Sequence, residues 1–377
     1  MTNKLTPIAF LILLIGCGTP ENTGESTDNL LENLQITTDT VMVDVGEEIF
    51  NAGAYSTLVK IPNQPIVYFP FNSGQEVHEI ELTKPSLVRR IKFENDGPNQ
   101  APRYFQQFDM LPSGEFLIAD FSMAGLFSQD AEKIREIKID PSEVEGIDDD
   151  LSQINYTLYL SPDQKKAISK ADKIKTFSSQ IAVFDLENKS AKVIDLPALE
   201  MTKNFQSTFA EGNGSVTYGD FITLKKLDNL FFITSGATSD TYIYDLENDS
   251  LTLKTFPHKL VPVSKSGTFP SEVDSDKRVE EVGEQINQQP TYQGFFWDDI
   301  RKQYFRFATK TNGFNENGDR KKMDVFLFVY DKDLNLLGET KVDLPWAPYR
   351  AFFHDEKLYS YFVVEENPGF VVYDFNF

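Results

Sequence analysis

Along most of the chain apolar and polar residues alternate in short runs, the period of strands with one face buried. One run reads Ile181-Ala182-Val183-Phe184-Asp185-Leu186-Glu187-Asn188, followed by Ala191-Lys192-Val193-Ile194-Asp195-Leu196-Pro197. It recurs as Tyr242-Ile243-Tyr244-Asp245-Leu246-Glu247-Asn248 with Leu251 to Pro257, and as Phe328-Val329-Tyr330-Asp331-Lys332-Asp333-Leu334 with Gly338 to Pro345. Each copy predicts two strands joined by an Asp/Asn turn. A second pattern opens the units: an aromatic residue, Gln or Arg, one or two further residues, then Phe. Its copies begin at Phe105, Phe205, Tyr292 and Tyr349. Hairpin turns follow at Leu111-Pro112-Ser113-Gly114, Trp297-Asp298-Asp299 and His354-Asp355-Glu356-Lys357.

Repeats of roughly 40 to 50 residues with about four strands each are the signature of a β-propeller. Six units are expected, at about 50–96, 103–140, 152–197, 204–257, 290–345 and 347–377. The last holds only three strands. Its fourth is expected near the N-terminus, at Thr40 to Val45, which would close the ring and remove exposed edges. The fold class is therefore all-β, a six-bladed propeller whose last blade is closed by an N-terminal strand. The rival is an irregular pair of β-sandwiches, which needs no repeat of this period. A helical period is present only at Asp276 to Gln288. It lies in a long connection, Lys259 to Gln289, that breaks the spacing and is placed to cover one mouth of the ring.

The first residues change the picture in another way. A charged start with Lys4 precedes the apolar run Ile8 to Ile15, which ends in Leu14-Ile15-Gly16-Cys17. The run is too short to span a bilayer, and its form is that of a secretory signal ending in a lipobox. The expected organisation is a signal peptide over 1–16, a lipidated flexible tether over 17–36 and the propeller over 37–377. Cys17 is the lipidation site and the chain's single cysteine, so a disulfide or a cysteine-bound metal is excluded. Acyl chains, palmitate among them, would tie the protein to the membrane. The expected location is the cell envelope, at the outer membrane. The net charge of -22 argues against a nucleic-acid partner.

The strand and turn Val88-Arg89-Arg90-Ile91-Lys92-Phe93-Glu94-Asn95-Asp96-Gly97-Pro98-Asn99, the closing Lys357-Leu358-Tyr359 and Val371-Val372-Tyr373-Asp374-Phe375 carry a resemblance. With the lipobox, the chain resembles the lipoproteins of the family called domain of unknown function 4221. That resemblance implies a six-bladed propeller-like envelope protein and brings no activity with it.

Candidate chemistry is sparse. His78, His258 and His354 have no neighbour at metal-ligand spacing, and no nucleophile-elbow motif is present. The segment Asn315-Glu316-Asn317-Gly318-Asp319 has only part of a calcium-loop pattern. No cofactor and no metal are expected. The Gln/Arg slot of the opening pattern places Gln106, Gln206, Gln293 and Arg350 on first strands around the channel. The expectation is a shared binding cavity, with Arg350 favouring an anionic group; the competing account makes all four inter-blade contacts. The function expected is a binding or scaffolding module for a small molecule, a glycan or a protein. The alternative is a glycan-acting enzyme with a carboxylate pair in the channel.

Overall fold

The computed structural model describes residues 29–48, 57–71, 75–148, 151, 154–172, 177–212, 214–313, 321–364 and 366–377. Six four-stranded antiparallel sheets form the blades of a ring. Five are built from consecutive strands, with inner strands Val59–Lys60, Gln107–Met110, Tyr159–Leu160, Ile222–Leu227 and Thr291–Asp298. The sixth combines Ala351–His354, Lys357–Val364 and Asn367–Asn376 with the N-terminal strand Gln35–Met42. That strand pairs along its whole length, from Gln35 opposite Asn376 to Met42 opposite Gly369. The closing strand is thus shifted from the expected Thr40 to Val45: it starts five residues earlier, because its partner strand continues to Asn376, and it ends at Met42.

The alternation of apolar positions has a direct consequence in packing. Side chains above and below each sheet meet those of the neighbouring blades, so the core is divided into inter-blade clusters. Val67, Phe69 and Ile80 of the first blade pack on Phe352, Phe370 and Val372 of the sixth, closing the circle. Phe305, Val325 and Leu327 of the fifth blade pack on Phe353, Leu358 and Phe375 of the sixth.

The recurring Asp/Asn turn is explained by its hydrogen bonds, with Asn three residues after Asp in two copies and four in the third. The Asp185 carboxylate accepts from the Glu187 and Asn188 amides at 3.1 and 2.9 Å, and from Asn188 Nδ2 at 2.8 Å. Asp245 does the same with Glu247 and Asn248, and Asp331 with Asp333 and Asn335. An Asp side chain that satisfies its own turn explains why the motif repeats.

Antiparallel strands sort the loops by face. Turns between first and second strands, and between third and fourth, lie on one face, here called the turn face. Turns between second and third strands lie on the other, with every inter-blade connection; this is the crossover face. Two corrections to the expected organisation concern these faces. First, residues 29–36 of the tether expected over 17–36 pack on the propeller: Leu30 N donates to Leu337 O at 3.0 Å, and Leu31 is fully buried between the fifth and sixth blades. Second, the unit expected at 204–257 does not open with its inner strand. Gln206–Glu211 and Gly214–Gly219 form a separate two-stranded hairpin ahead of it.

This hairpin and the helix α1 (Asp276–Asn287) form a cap on the crossover face. Ser275 caps the helix by accepting from Arg278 N at 3.4 Å. A Cβ at Gly283 would lie 2.0 Å from the Tyr218 ring, so only glycine allows the helix this close to the hairpin. Phe205, Val282 and Ile286 pack there on Ala237, in a turn of the fourth blade. The connection 259–289, expected over one mouth of the ring, thus lies on the crossover face.

Candidate functional site

The crossover face is distinguished by what it leaves in water. Six of the seven exposed aromatic side chains among the described residues lie on it: Tyr104, Phe121, Phe221, Trp346, Tyr349 and Phe362. Phe121 is 61% exposed and Tyr349 64%. The first five stand in inter-blade connections or a second-to-third-strand turn, and Phe362 lies near the crossover end of its strand. Large apolar side chains in water are costly, so a concentration on one face signals a surface that something else covers.

The backbone beneath these rings is held by buried polar groups. The Asp120 carboxylate accepts from the Arg103 and Tyr104 amides at 3.0 and 3.4 Å on one oxygen. The other accepts from the Ser122 and Met123 amides at 2.8 and 3.1 Å. One side chain therefore fixes the loops that carry both Tyr104 and Phe121. Burial opposes its charge, but the hydrogen bonds from Ser122, Met123 and Tyr104 outweigh it and hold the carboxyl below its ordinary range. Ser360 Oγ accepts from Tyr349 N at 3.1 Å and donates to Tyr349 O at 2.8 Å. Beside Phe221, Asp220 forms a buried ion pair with Lys265 at 2.7 Å, and Lys265 also donates to Thr291 Oγ1 at 2.8 Å. That pair ties the cap to the starts of two inner strands. Trp346 and Phe362 lie 12° from parallel with centroids 6.1 Å apart. The guanidinium of Arg103 lies 5.5 Å from the Tyr104 ring centre, and that of Arg350 lies 5.0 Å from Tyr349.

The four residues singled out by the opening pattern are placed differently from one another. Gln106 is exposed, just ahead of the second blade's inner strand; its neighbour Gln107 is the buried one. Gln206 is on the hairpin and not on an inner strand. Its Nε2 donates to Asp220 O at 2.6 Å, an internal contact of the cap. The hairpin repeats the strand-turn-strand pattern of a blade opening, which is why sequence spacing placed Gln206 on the channel. Gln293 sits at a bulge of the fifth inner strand, and its carbonyl accepts from Arg306 Nε at 2.7 Å. Arg350 precedes the sixth inner strand with φ of +48°, a conformation rare for a residue with a Cβ. Of this aromatic set only Tyr349 belongs to the opening pattern; the others escaped it because they lie in connections, in a turn or, for Phe362, late in a second strand. The available signal was aromatic residues between turn formers, as in Pro345-Trp346-Ala347-Pro348-Tyr349.

Deeper in the channel, Lys226 Nζ meets Asp109 Oδ2 at 3.1 Å. Lys225 donates to Phe295 O at 3.3 Å and faces the Phe296 ring, and burial brings its ammonium down to about 8. The carboxylates of Asp109, Asp120 and Asp220 are thus each engaged by a cation or by backbone amides. Among the described residues no three His, Cys, Asp or Glu side chains are grouped to hold a metal. The segment 315–319 lies outside the described residues; Asp324 beyond it pairs with Lys341 at 2.6 Å.

Two histidines are interior. His78 stacks on Phe71 at 5.0 Å, and burial lowers it to about 4. His258 stacks on Phe328 at 4.1 Å, bonds the hydroxyls of Tyr292 and Tyr330 at 3.2 and 2.9 Å, and burial lowers it to about 3. Both are neutral in the folded protein near pH 7, whereas in the unfolded chain they titrate near 6.5. Their stabilisation is complete above pH 6.5 and falls as pH drops toward 4. Between pH 6.5 and 5 each should cost about 2 kcal/mol. Urea midpoints measured across that interval should fall steadily, and His258→Gln should remove about half the slope. An unchanged slope in that variant would refute the assignment.

The geometry defines a class: a six-bladed β-propeller with a hairpin-and-helix cap on one face. Within it, the chain belongs to the family described as domain of unknown function (DUF4221), whose sequence pattern matches residues 27–341. The resemblance read from the sequence is therefore correct. A solved DUF4221 family member from Bacteroides vulgatus shares the fold with a TM-score of 0.59 at 15% identity, covering 91% of this chain and 98% of that one. A protein from Bacteroides fragilis described as exported gives a TM-score of 0.49 at 10% identity, over 93% and 97% of the two chains. No curated protein sequence matches.

Proposed function

We propose that this protein is an envelope lipoprotein, anchored through lipid on Cys17, whose propeller is a binding module that presents its crossover face away from the membrane. The observation that carries this reading is the position of the chain's first described residues. Asn29 Nδ2 donates to Glu339 O at 3.0 Å, and Leu30 bonds Leu337 just after a turn-face loop. The chain therefore reaches the propeller from the turn face, opposite the exposed aromatic rings. Twelve residues separate Cys17 from Asn29, inclusive of Cys17, and even fully extended they reach only ~40 Å. So short a link favours keeping the turn face toward the lipid. Among the described residues no helix is long and apolar enough to cross a membrane, and the lipid supplies the attachment.

Acylation consumes the only natural thiol, so an introduced cysteine can be labelled alone. In vesicles carrying a lipid-borne quencher, a fluorophore at Lys332→Cys on the turn face should be quenched. One at Glu280→Cys on the cap helix should not. Equal quenching would overturn the orientation. Cys17→Ala should leave the membrane fraction or keep its signal; a processed variant that still sediments with membranes would overturn the anchor.

A further inference from the structure

We infer that the crossover face binds a neutral saccharide chain, with Tyr104 and Phe121 as one stacking platform and Trp346, Tyr349 and Phe362 as the other. This rests on the reading of the crossover face as the binding face. Three properties of the surface select this occupant. The backbone beneath the rings is fixed: Asp120 holds the loops of the first pair, and Ser360 holds that of Tyr349. Tyr and Trp give large contact area at low entropy cost, and a fixed backbone lowers that cost further. The rings are also interleaved with hydrogen-bonding groups. Arg103 flanks Tyr104, Arg350 flanks Tyr349, and exposed Ser122 and Gln106 stand beside them. A ligand matching this surface needs apolar faces and many hydroxyls around them, and sugar rings have both. A dry protein interface would instead require an apolar core with the polar groups at its rim.

Charge and chain geometry remove the competitors. With a net charge of -22, acidic polysaccharides, nucleic acids and anionic lipid surfaces are all repelled at long range, whereas an uncharged glycan is not. A bilayer is excluded from this face a second time, because residues 29–34 arrive on the opposite side. A polymer approaching from beyond the membrane meets the crossover face first.

The chain has two tryptophans, and they report separately. Trp346 is exposed on the proposed platform, while Trp297 is packed against Tyr304 at 4.4 Å near the turn face. Titration of the purified full chain with dextran and with yeast mannan should change Trp346 emission for at least one of them. Migration through gels containing the same polysaccharide should be retarded. Trp346→Ala and the pair Tyr104→Ala/Phe121→Ala remove exposed side chains and should melt normally. Each should weaken the retardation about tenfold. Trp297→Phe should keep both the emission change and the retardation. Absence of any effect with both polysaccharides overturns the saccharide assignment. So does equal retardation of the platform variants, or stronger retardation by the polyanion alginate. The orientation of the face fails separately, through equal quenching of the two vesicle probes.

Discussion

A chain shortened to begin at Val43 is expected to lose the closed ring. The deletion removes the fourth strand of the last blade and leaves Asn367–Asn376 as an open edge with eight unpaired ladder positions. It also removes Leu31 from the core between the fifth and sixth blades, and the partly buried Leu34 and Ile36 with it. Burial of these side chains is worth on the order of 5 kcal/mol, before the strand pairing is counted. That is comparable with the whole stability of many domains. Soluble yield should fall sharply, the thermal transition should broaden or disappear, and the product should aggregate. A chain beginning at Asn29 should melt with the mature protein, since the interactions described for the N-terminal segment begin there. Equal melting of the two truncations would refute closure by this strand.

The second large effect is expected at Arg306. Its side chain is fully enclosed between the fourth and fifth blades. Nε donates to Gln293 O at 2.7 Å, Nη1 to Ser239 O and, at 3.4 Å, to Thr241 Oγ1, and Nη2 to Thr238 O at 3.4 Å. The guanidinium carbon also lies 4.7 Å from the Phe295 ring centre and 5.0 Å from that of Tyr292. Burial pushes its pKa down, opposed by the Tyr330 and Tyr292 hydroxyls and the Asp240 carboxylate. Arg306→Met fits the volume but leaves three carbonyl oxygens without their donor. Each unmatched buried acceptor costs about 1–3 kcal/mol, so a loss of about 3–5 kcal/mol is expected. Arg306→Lys should recover little, because one ammonium cannot reach groups on both blades in the plane of a fork. Chemical denaturation of the three proteins decides it; a Met variant within about 1 kcal/mol of the parent would show that the carbonyls find other partners.

The propeller was legible in the sequence because its physics is local and repeated. Alternation marks each strand, and the self-satisfying turns at Asp185, Asp245 and Asp331 recur for the same reason. Closure was legible too, since a three-stranded final unit demands a fourth strand. The cap was not. The hairpin at Gln206–Glu211 has the same alternation as an inner strand, and only its contacts with α1 show that it belongs to neither blade. The packing of Leu30, Leu31 and Leu34 was hidden because three leucines among polar residues over so short a stretch show no clear period. The exposed aromatic set was hidden for the opposite reason: a Phe in a connection and a Phe in a strand look alike until accessibility separates them.

The pairing of Gln35–Met42 with Asn367–Asn376 also fixes an order of events in biosynthesis. The first strand of the domain to leave the ribosome waits for a partner made after all five complete blades. Neighbouring strands within a blade can zip as they appear, but this one contact spans nearly the entire domain and sets a high topological cost on the final step. Until it forms, two sheet edges stand open at once. The protein is therefore most vulnerable to proteases and self-association in that interval, and factors that shield unpaired edges would act on yield without altering the finished fold.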